Sequence, residues 1–247
     1  MIINMIKKLF VVSDVHGHYT EMIKALEEAG FDTKKEDHVF VSCGDLFDRG
    51  KENEAVYDFV RGLKNKILIK GNHEDILYNV LDCGYVTDTD VANGTDITVA
   101  QLLGEDAIDS ERRLNSEKYG EKIRELASFI ENMSDYYETE EYVFTHGWLP
   151  ILIYGRTPKV DFGWRYAKKD DWTEARLLEW QQLYSVGAVL PEKTMVVGHR
   201  PAELGRMFDP FREPDLSEPF YGEGMIAIDA YTVRSGRVNV FVAEQDQ

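Results

Sequence analysis

Two rhythms of apolar and polar positions alternate along the first eighty residues. Short apolar-rich runs at 9–13, 38–43 ("HVFVSC") and 66–70 ("KILIK") read as strands buried on both faces. Between them the apolar positions fall at helical spacing. Met22, Ile23, Leu26 and Ala29 share one face of residues 20–29, which Gly30 stops. Ala55, Val56, Phe59, Val60 and Leu63 do the same across 52–63, and a third helix begins over 74–81. This β-α-β-α-β order predicts an α/β fold with parallel strands joined by crossover helices.

Residues 82–135 break the rhythm. They are polar and mostly helical in pattern, with a Gly/Thr/Asp-rich loop from 82 to 96, and read as an insertion within a single 1–247 domain. Strand patterns return at 136–145 and at 193–198. Two further runs, 225–233 and 237–243, flank "RSGR" and predict a β-hairpin. Residues 201–222 hold four of the seven prolines and no periodicity, as a long loop would.

Composition narrows the class. The chain has 247 residues, 43% of them hydrophobic, and a formal charge of -17. Such an acidic surface disfavours nucleic acid and anionic membrane as partners. Cys43 and Cys83 are too few for a disulfide framework, and neither a signal peptide nor a membrane span is read, so a cytoplasmic location is expected.

The chemistry gathers where strands end. "SDVHG" follows the first strand, "CGDLFDRG" the second and "GNHED" the third; "HGW" follows "YVFT", and "GHR" follows "MVV". Four of the six histidines (16, 73, 146 and 199) stand at these exits, beside aspartate, asparagine and glycine. Ligands in open α/β sheets sit at the carboxyl ends of strands. Carboxylates, an amide oxygen and imidazoles together suit a pair of divalent ions such as Mn, Fe or Zn. Two such ions polarise phosphoryl oxygens and lower the pKa of a water. In "SDVHGH", Asp14 and His16 are separated by one residue, the spacing that sends both side chains to the same side of an extended strand end. Gly17 then turns the chain, leaving His18 as a helix-entry residue.

Taken together, "SDVHG", "GDLFDRG", "GNHE", "THG" and "GHR" resemble the calcineurin-like metallophosphoesterases. Within that group they are most similar to the phosphoprotein phosphatase family, bacterial and phage-type serine/threonine phosphatases in particular. The resemblance implies a layered α/β/β/α sandwich with a dinuclear metal site at the strand C-terminal ends. It implies one ion held by Asp14, His16 and Asp45 and a second held by Asp45, Asn72, His146 and His199. It makes His73 the general acid, Asp48 its orienting carboxylate and Arg49 a phosphate clamp, with Arg176, or else Arg165, as a second. The implied reaction is hydrolysis of a phosphate monoester, on a phosphorylated protein or peptide or a small phosphoester, by a hydroxide bridging the ions. The alternative is a symmetrical diadenosine-tetraphosphate hydrolase on the same site. Those enzymes tend to lack the aspartate of the DRG block and to read GNHD, whereas this chain has Asp48 and "GNHE".

Other residues carry plainer readings. Cys43 is a small residue packing behind the site, His38 a surface residue, and the four tryptophans core or rim packing. Ser13, where the family has glycine, supplies no ligand. Arg200, where a smaller residue often follows the histidine, either adds positive potential at the rim or pairs with an acid.

Overall fold

The structure is a computed structural model describing residues 7–155, 157–209 and 217–245. The first half contains β1 (Lys7–Val12), α1 (Tyr19–Glu28), β2 (His38–Ser42), α2 (Asn53–Gly62), β3 (Lys66–Leu68) and α3 (Asn72–Cys83). Three helices follow: α4 (Asp88–Asn93), α5 (Thr95–Leu103) and α6 (Ser116–Glu131). The second half runs β4 (Tyr136–Glu138), β5 (Tyr142–Thr145), β6 (Ile151–Tyr154), β7 (Thr157–Val160), α7 (Lys169–Arg176), α8 (Trp180–Ser185) and β8 (Thr194–Val197). It closes with β9 (Phe220–Gly222), β10 (Met225–Ala227), the single turn α9 (Thr232–Ser235) and β11 (Phe241–Gln245).

One sheet has the order β11-β1-β2-β3, the other β4-β5-β8-β10-β9. The strands β1, β2 and β3 are mutually parallel, as are β5, β8 and β10. The antiparallel strands β11, β4 and β9 sit at the edges. Side chains alternate faces along each strand, and this period builds three apolar layers. Leu9, Val11, Val39 and Val41 meet Phe144, Val196 and Ile226 between the sheets. Phe10, Val12 and Phe40 face the other way, onto Met22, Leu26, Val56 and Leu77 of α1, α2 and α3. Val143, Met195 and Val197 face a tryptophan-rich layer of Trp148, Trp164, Trp172 and Trp180. The α/β/β/α sandwich follows, with all four tryptophans in its core.

Several elements differ from the sequence reading. The 136–145 run is two antiparallel strands, because Thr139 turns the chain over two glutamates by accepting from the Tyr142 amide at 2.9 Å. The C-terminal hairpin does not form. β10 pairs with β8 and β9, whereas β11 crosses to the first sheet and pairs with β1. Each run holds only a short strand, Met225–Ala227 in the first and Phe241–Gln245 at the end of the second, and α9 and Gly236 (φ 64°) carry the chain between sheets rather than back on itself. The β6–β7 hairpin had no forecast. His38 is buried, not on the surface. Its ring lies 4.7 Å from Phe10, and its Nδ1 accepts from the Asp32 amide at 3.0 Å. In the expected 201–222 loop, Ala202–Met207 forms a 3-10 turn and β9 occupies its end, while 210–216 lie outside the described residues.

Candidate active site

Every strand-end block lies at the same edge of the sandwich, and the backbone there is unusual. Eight described residues other than glycine have positive φ. Six of them are Asp14, His16, Asp45, Asp48, Arg49 and His199. Left-handed backbone costs a residue with Cβ about 1–2 kcal/mol, and its concentration here marks a site whose geometry outranks local comfort. It also corrects the reading of "SDVHGH". The strand ends at Val12, and Asp14 (φ 53°) and His16 (φ 47°) reach one cluster through left-handed turns, not through an extended pleat. His18 precedes α1, and its Nδ1 lies 2.7 Å from the His16 carbonyl, bracing that turn.

Asp45 is the centre. Its carboxylate lies 3.7 Å from His16 Nε2 on one side and 3.4 Å from His146 Nε2 on the other. Two groups of possible ligands share it: His16, Asp45 and His73, and Asp45, His146 and His199. Asn72 Oδ1 sits 3.0 Å from His146 Nε2 and 2.9 Å from His199 Nδ1. Backbone carbonyls set two of the tautomers. His16 Nδ1 donates to Phe47 O at 2.9 Å and His146 Nδ1 to Cys43 O at 2.7 Å, so each Nε2 lone pair faces inward. Asp14 Oδ2 accepts from Ser13 Oγ at 2.5 Å and from the His199 amide at 2.9 Å, leaving Oδ1 turned to His16 at 4.0 Å. Ser13 thus steers a carboxylate, although it contributes no ligand of its own.

His73 and Asp48 form a buried dyad, with Nδ1 2.8 Å from Asp48 Oδ2. The Arg49 guanidinium spans both imidazoles, Nη1 at 3.0 Å from His16 Nε2 and Nη2 at 2.9 Å from His73 Nε2. Burial lowers the proton affinity of His73, but Asp45 and Asp48 outweigh it and its pKa is raised. The Arg49 contact instead needs a neutral ring. Asp48 holds the Nδ1 proton in either case, so the proton that comes and goes is the one on Nε2. Burial pushes the Asp14 carboxyl up to about 6, while three histidines hold Asp45 well below the carboxylate range against burial.

Four supporting residues were not singled out in the sequence. Thr95 and Thr98 on α5, inside the 82–135 segment, donate to Asp48 Oδ2 at 2.8 Å and Oδ1 at 2.7 Å. Buried Glu74 accepts from the amides of Asp45, Leu46 and Gly71 at 2.7–2.8 Å, clamping the turn that carries Asp45 to the start of α3. Asn53 Oδ1 accepts from the Asp48 amide at 2.9 Å. The fourth position of "GNHE" was visible as a motif, but Thr95 and Thr98 left no signal beyond an i, i+3 spacing.

Neither candidate second arginine joins the cluster. Arg176 is buried, with Nε 2.6 Å from Asp75, Nη1 2.7 Å from Asp135 and Nη2 3.2 Å from Thr173. Arg165 pairs with Glu138 and lies over the Trp164 ring at 4.2 Å. A cleft of about 510 Å³ opens over the cluster, lined in part by Asp45, Arg49, Asn72, His199, Arg200 and Tyr231. A larger cleft of about 790 Å³ beside Tyr142 and Tyr184 has no histidine in its lining. Cys43 is buried behind the cluster, and burial pushes its thiol pKa up, as suits an inert packing residue.

The sequence profile of the calcineurin-like phosphoesterases matches residues 7–227, and the chain belongs to that family. Over 101 residues it is 35% identical to the asymmetrical bis(5'-nucleosyl)-tetraphosphatase PrpE of Bacillus velezensis, covering 37% of this chain and 39% of that protein. Over 68 residues it is 34% identical to the symmetrical bis(5'-nucleosyl)-tetraphosphatase of Coxiella burnetii, covering 28% of this chain and 23% of that protein. The chain therefore spans less than half the length of the curated relatives it matches. Its fold is shared with a metallophosphoesterase from Sphaerobacter thermophilus, at a TM-score of 0.52 and 14% identity, covering 97% of this chain and 87% of that one. A cold-active protein tyrosine phosphatase mutant is similar at a TM-score of 0.53 and 16% identity, covering 97% of this chain and 80% of that one. No helix among the described residues is long and apolar enough to cross a membrane.

Proposed function

We propose that this chain hydrolyses phosphate monoesters on phosphoserine or phosphothreonine proteins or peptides. The observation that carries the reading is the buried His73–Asp48 dyad, 2.8 Å long, with Arg49 against its free nitrogen and Asp45 within 4.0 Å. The donor chemistry fits two divalent ions of the Mn, Fe or Zn kind. Asp14, His16 and Asp45 would hold one, and Asp45, Asn72, His146 and His199 the other. His73 falls among the possible ligands by distance, but its Nδ1 is committed to Asp48 and its Nε2 faces Arg49, so Asp14 with its free Oδ1 is the better ligand. When bound, such ions supply Lewis acidity to the phosphoryl oxygens and lower the pKa of the attacking water.

The side chains supply the rest. Arg49 presents a planar fork that suits two phosphoryl oxygens. His73 delivers its Nε2 proton to the departing oxygen, the role expected of an imidazole in hydrogen-bond reach of a leaving group. Asp48 fixes the ring and stabilises its charged form, and Thr95 and Thr98 fix Asp48. A monoester is favoured because its leaving alkoxide needs that proton.

A second reading, hydrolysis of a dinucleoside polyphosphate, is favoured by the names of the relatives that match at 33–35% identity. Hydrolysis of a phosphothreonine peptide and of diadenosine tetraphosphate under the same metal separates the two. The peptide is expected to lead in kcat/KM by about tenfold or more, equivalent to about 1.4 kcal/mol of differential transition-state binding. A lead for the dinucleotide overturns the choice of substrate and leaves the site intact.

A further inference from the structure

Ser13 is buried, and its hydroxyl has a single proton to give. That proton goes to Asp14 Oδ2 at 2.5 Å, since the Cys43 carbonyl lies farther off at 3.3 Å. The His199 amide donates to the same oxygen at 2.9 Å. A carboxylate oxygen accepts through two lone pairs, so Oδ2 is fully used. It is also covered. A Cβ placed on Gly198 would fall 2.3 Å from Oδ2 and 1.9 Å from Ser13 Oγ, so the backbone there leaves no room for an ion on that side. The backbone of Asp14 is held as well: its amide donates to the Gly44 carbonyl at 3.0 Å, and its carbonyl accepts from Thr232 Oγ1 at 2.8 Å. Only Oδ1 is turned to the cluster, 4.0 Å from His16 Nε2, while Asp45 Oδ2 lies 3.7 Å from that nitrogen and Asp45 Oδ1 faces His146. The first ion site thus offers single atoms: Asp14 Oδ1, His16 Nε2 and Asp45 Oδ2.

We propose that Ser13 confines Asp14 to one-oxygen ligation and thereby tilts the first site toward Zn²⁺ over Mn²⁺. This rests on the two-ion reading above. Three single-atom donors with an open position suit Zn²⁺, which keeps a low coordination number. Mn²⁺ favours an octahedral, oxygen-rich set and would gain from the second oxygen of the same carboxylate. Ser13 withholds that oxygen. It touches neither ion nor substrate, and it is a positioning residue that acts through Asp14.

The test is calorimetric titration of the metal-free full chain with Zn²⁺ and, separately, with Mn²⁺. Wild type, Ser13→Ala, Ser13→Gly, Asp14→Asn and the Ser13→Ala/Asp14→Asn double variant are compared. Ser13→Ala is expected to weaken one of the two Zn²⁺ sites by about tenfold to a hundredfold, the usual effect of removing a group that orients a metal ligand. Mn²⁺ at that site should hold or tighten, so its Zn²⁺-over-Mn²⁺ preference falls by about tenfold or more. The other Zn²⁺ site should move by less than about threefold. Ser13→Gly should repeat the result. With Asp14→Asn already in place, Ser13→Ala should add no further loss, because the hydroxyl acts only through that carboxylate. Equal weakening of Zn²⁺ and Mn²⁺, equal weakening of both Zn²⁺ sites, a further loss in the double variant, or unfolding of both Ser13 variants each overturn the proposal. A wild type that binds no Zn²⁺, or an Asp14→Asn that keeps both Zn²⁺ sites at wild-type affinity, overturns the two-ion reading and this proposal together. Wild-type titrations in Ser13→Ala and Ser13→Gly overturn only the role of Ser13.

Discussion

The left-handed residues of the site show how single positions are shaped by chemistry. Asp45 illustrates it: its φ is 55°, and Oδ1 accepts from the His73 amide at 3.0 Å. Asp45→Asn keeps an acceptor for that amide but removes the shared charge. The expected outcome is loss of metal-dependent activity by about a thousandfold or more, with an unchanged far-UV spectrum. Retention of activity would remove Asp45 from the centre. Thr98 is subtler, since its hydroxyl both donates to Asp48 Oδ1 and accepts from the Asp48 amide at 3.1 Å. Thr98→Val is expected to lower kcat about tenfold with little change in KM, because the dyad loosens while Arg49 stays. A change confined to KM would contradict a role through His73. The strand-end residues were legible because each stands beside glycine at the close of an apolar run. Thr98 was not, since only the fold brings it to Asp48. His38 misled for a related reason: "KKED" before it reads as surface, while its ring packs on Phe10.

Elements were legible where a local period sufficed and illegible where pairing was remote. The first five elements came from alternation and helical spacing alone. The C-terminal hairpin failed because two strand patterns around a turn-like "RSGR" cannot reveal that their partners lie in different sheets. The split between β4 and β5 turns on Thr139, whose amide donates to the Tyr142 carbonyl and whose hydroxyl accepts from the Tyr142 amide, both at 2.9 Å. Glu138 of β4 ties that edge to two other segments, pairing with Arg165 of the 3-10 turn Trp164–Tyr166 and with Lys193 before β8 at 2.8 Å. The Arg165 hydrogen bond, helped by Lys193 and opposed by burial, holds its pKa down to about 2. A depressed carboxyl pKa stabilises the fold fully above the unfolded value of about 4.5, and this is lost as pH falls through about 2. Glu138→Gln is therefore expected to reduce stability at neutral pH by about 1–2 kcal/mol, discounted because the side chain is 21% exposed. In urea titrations the gap between wild type and variant should shrink from about pH 5 downward. A gap independent of pH would contradict the ion-pair account.

At the scale of the molecule, the charge of -17 surrounds a site that must receive an anion. Long-range repulsion is screened by salt, since the Debye length falls to about 10 Å at 0.1 M. At subsaturating substrate, kcat/KM for an anionic ester should hold or rise as inert salt goes from about 0.02 to 0.2 M. A steep fall would mean that attraction by local cations dominates the encounter. The path of the chain between the sheets has a consequence of another kind. β1, among the first described residues, is covered on its outer edge by β11, among the last, with Lys7 opposite Gln245. On a ribosome that edge stays bare while all the metal-site blocks, which end at His199, have already been made. Closing such a distant pair carries an entropic delay, and an unpaired edge is open to other chains meanwhile. Synthesis of the site residues and covering of that edge are thus separate events in the life of the nascent chain, and the second comes later.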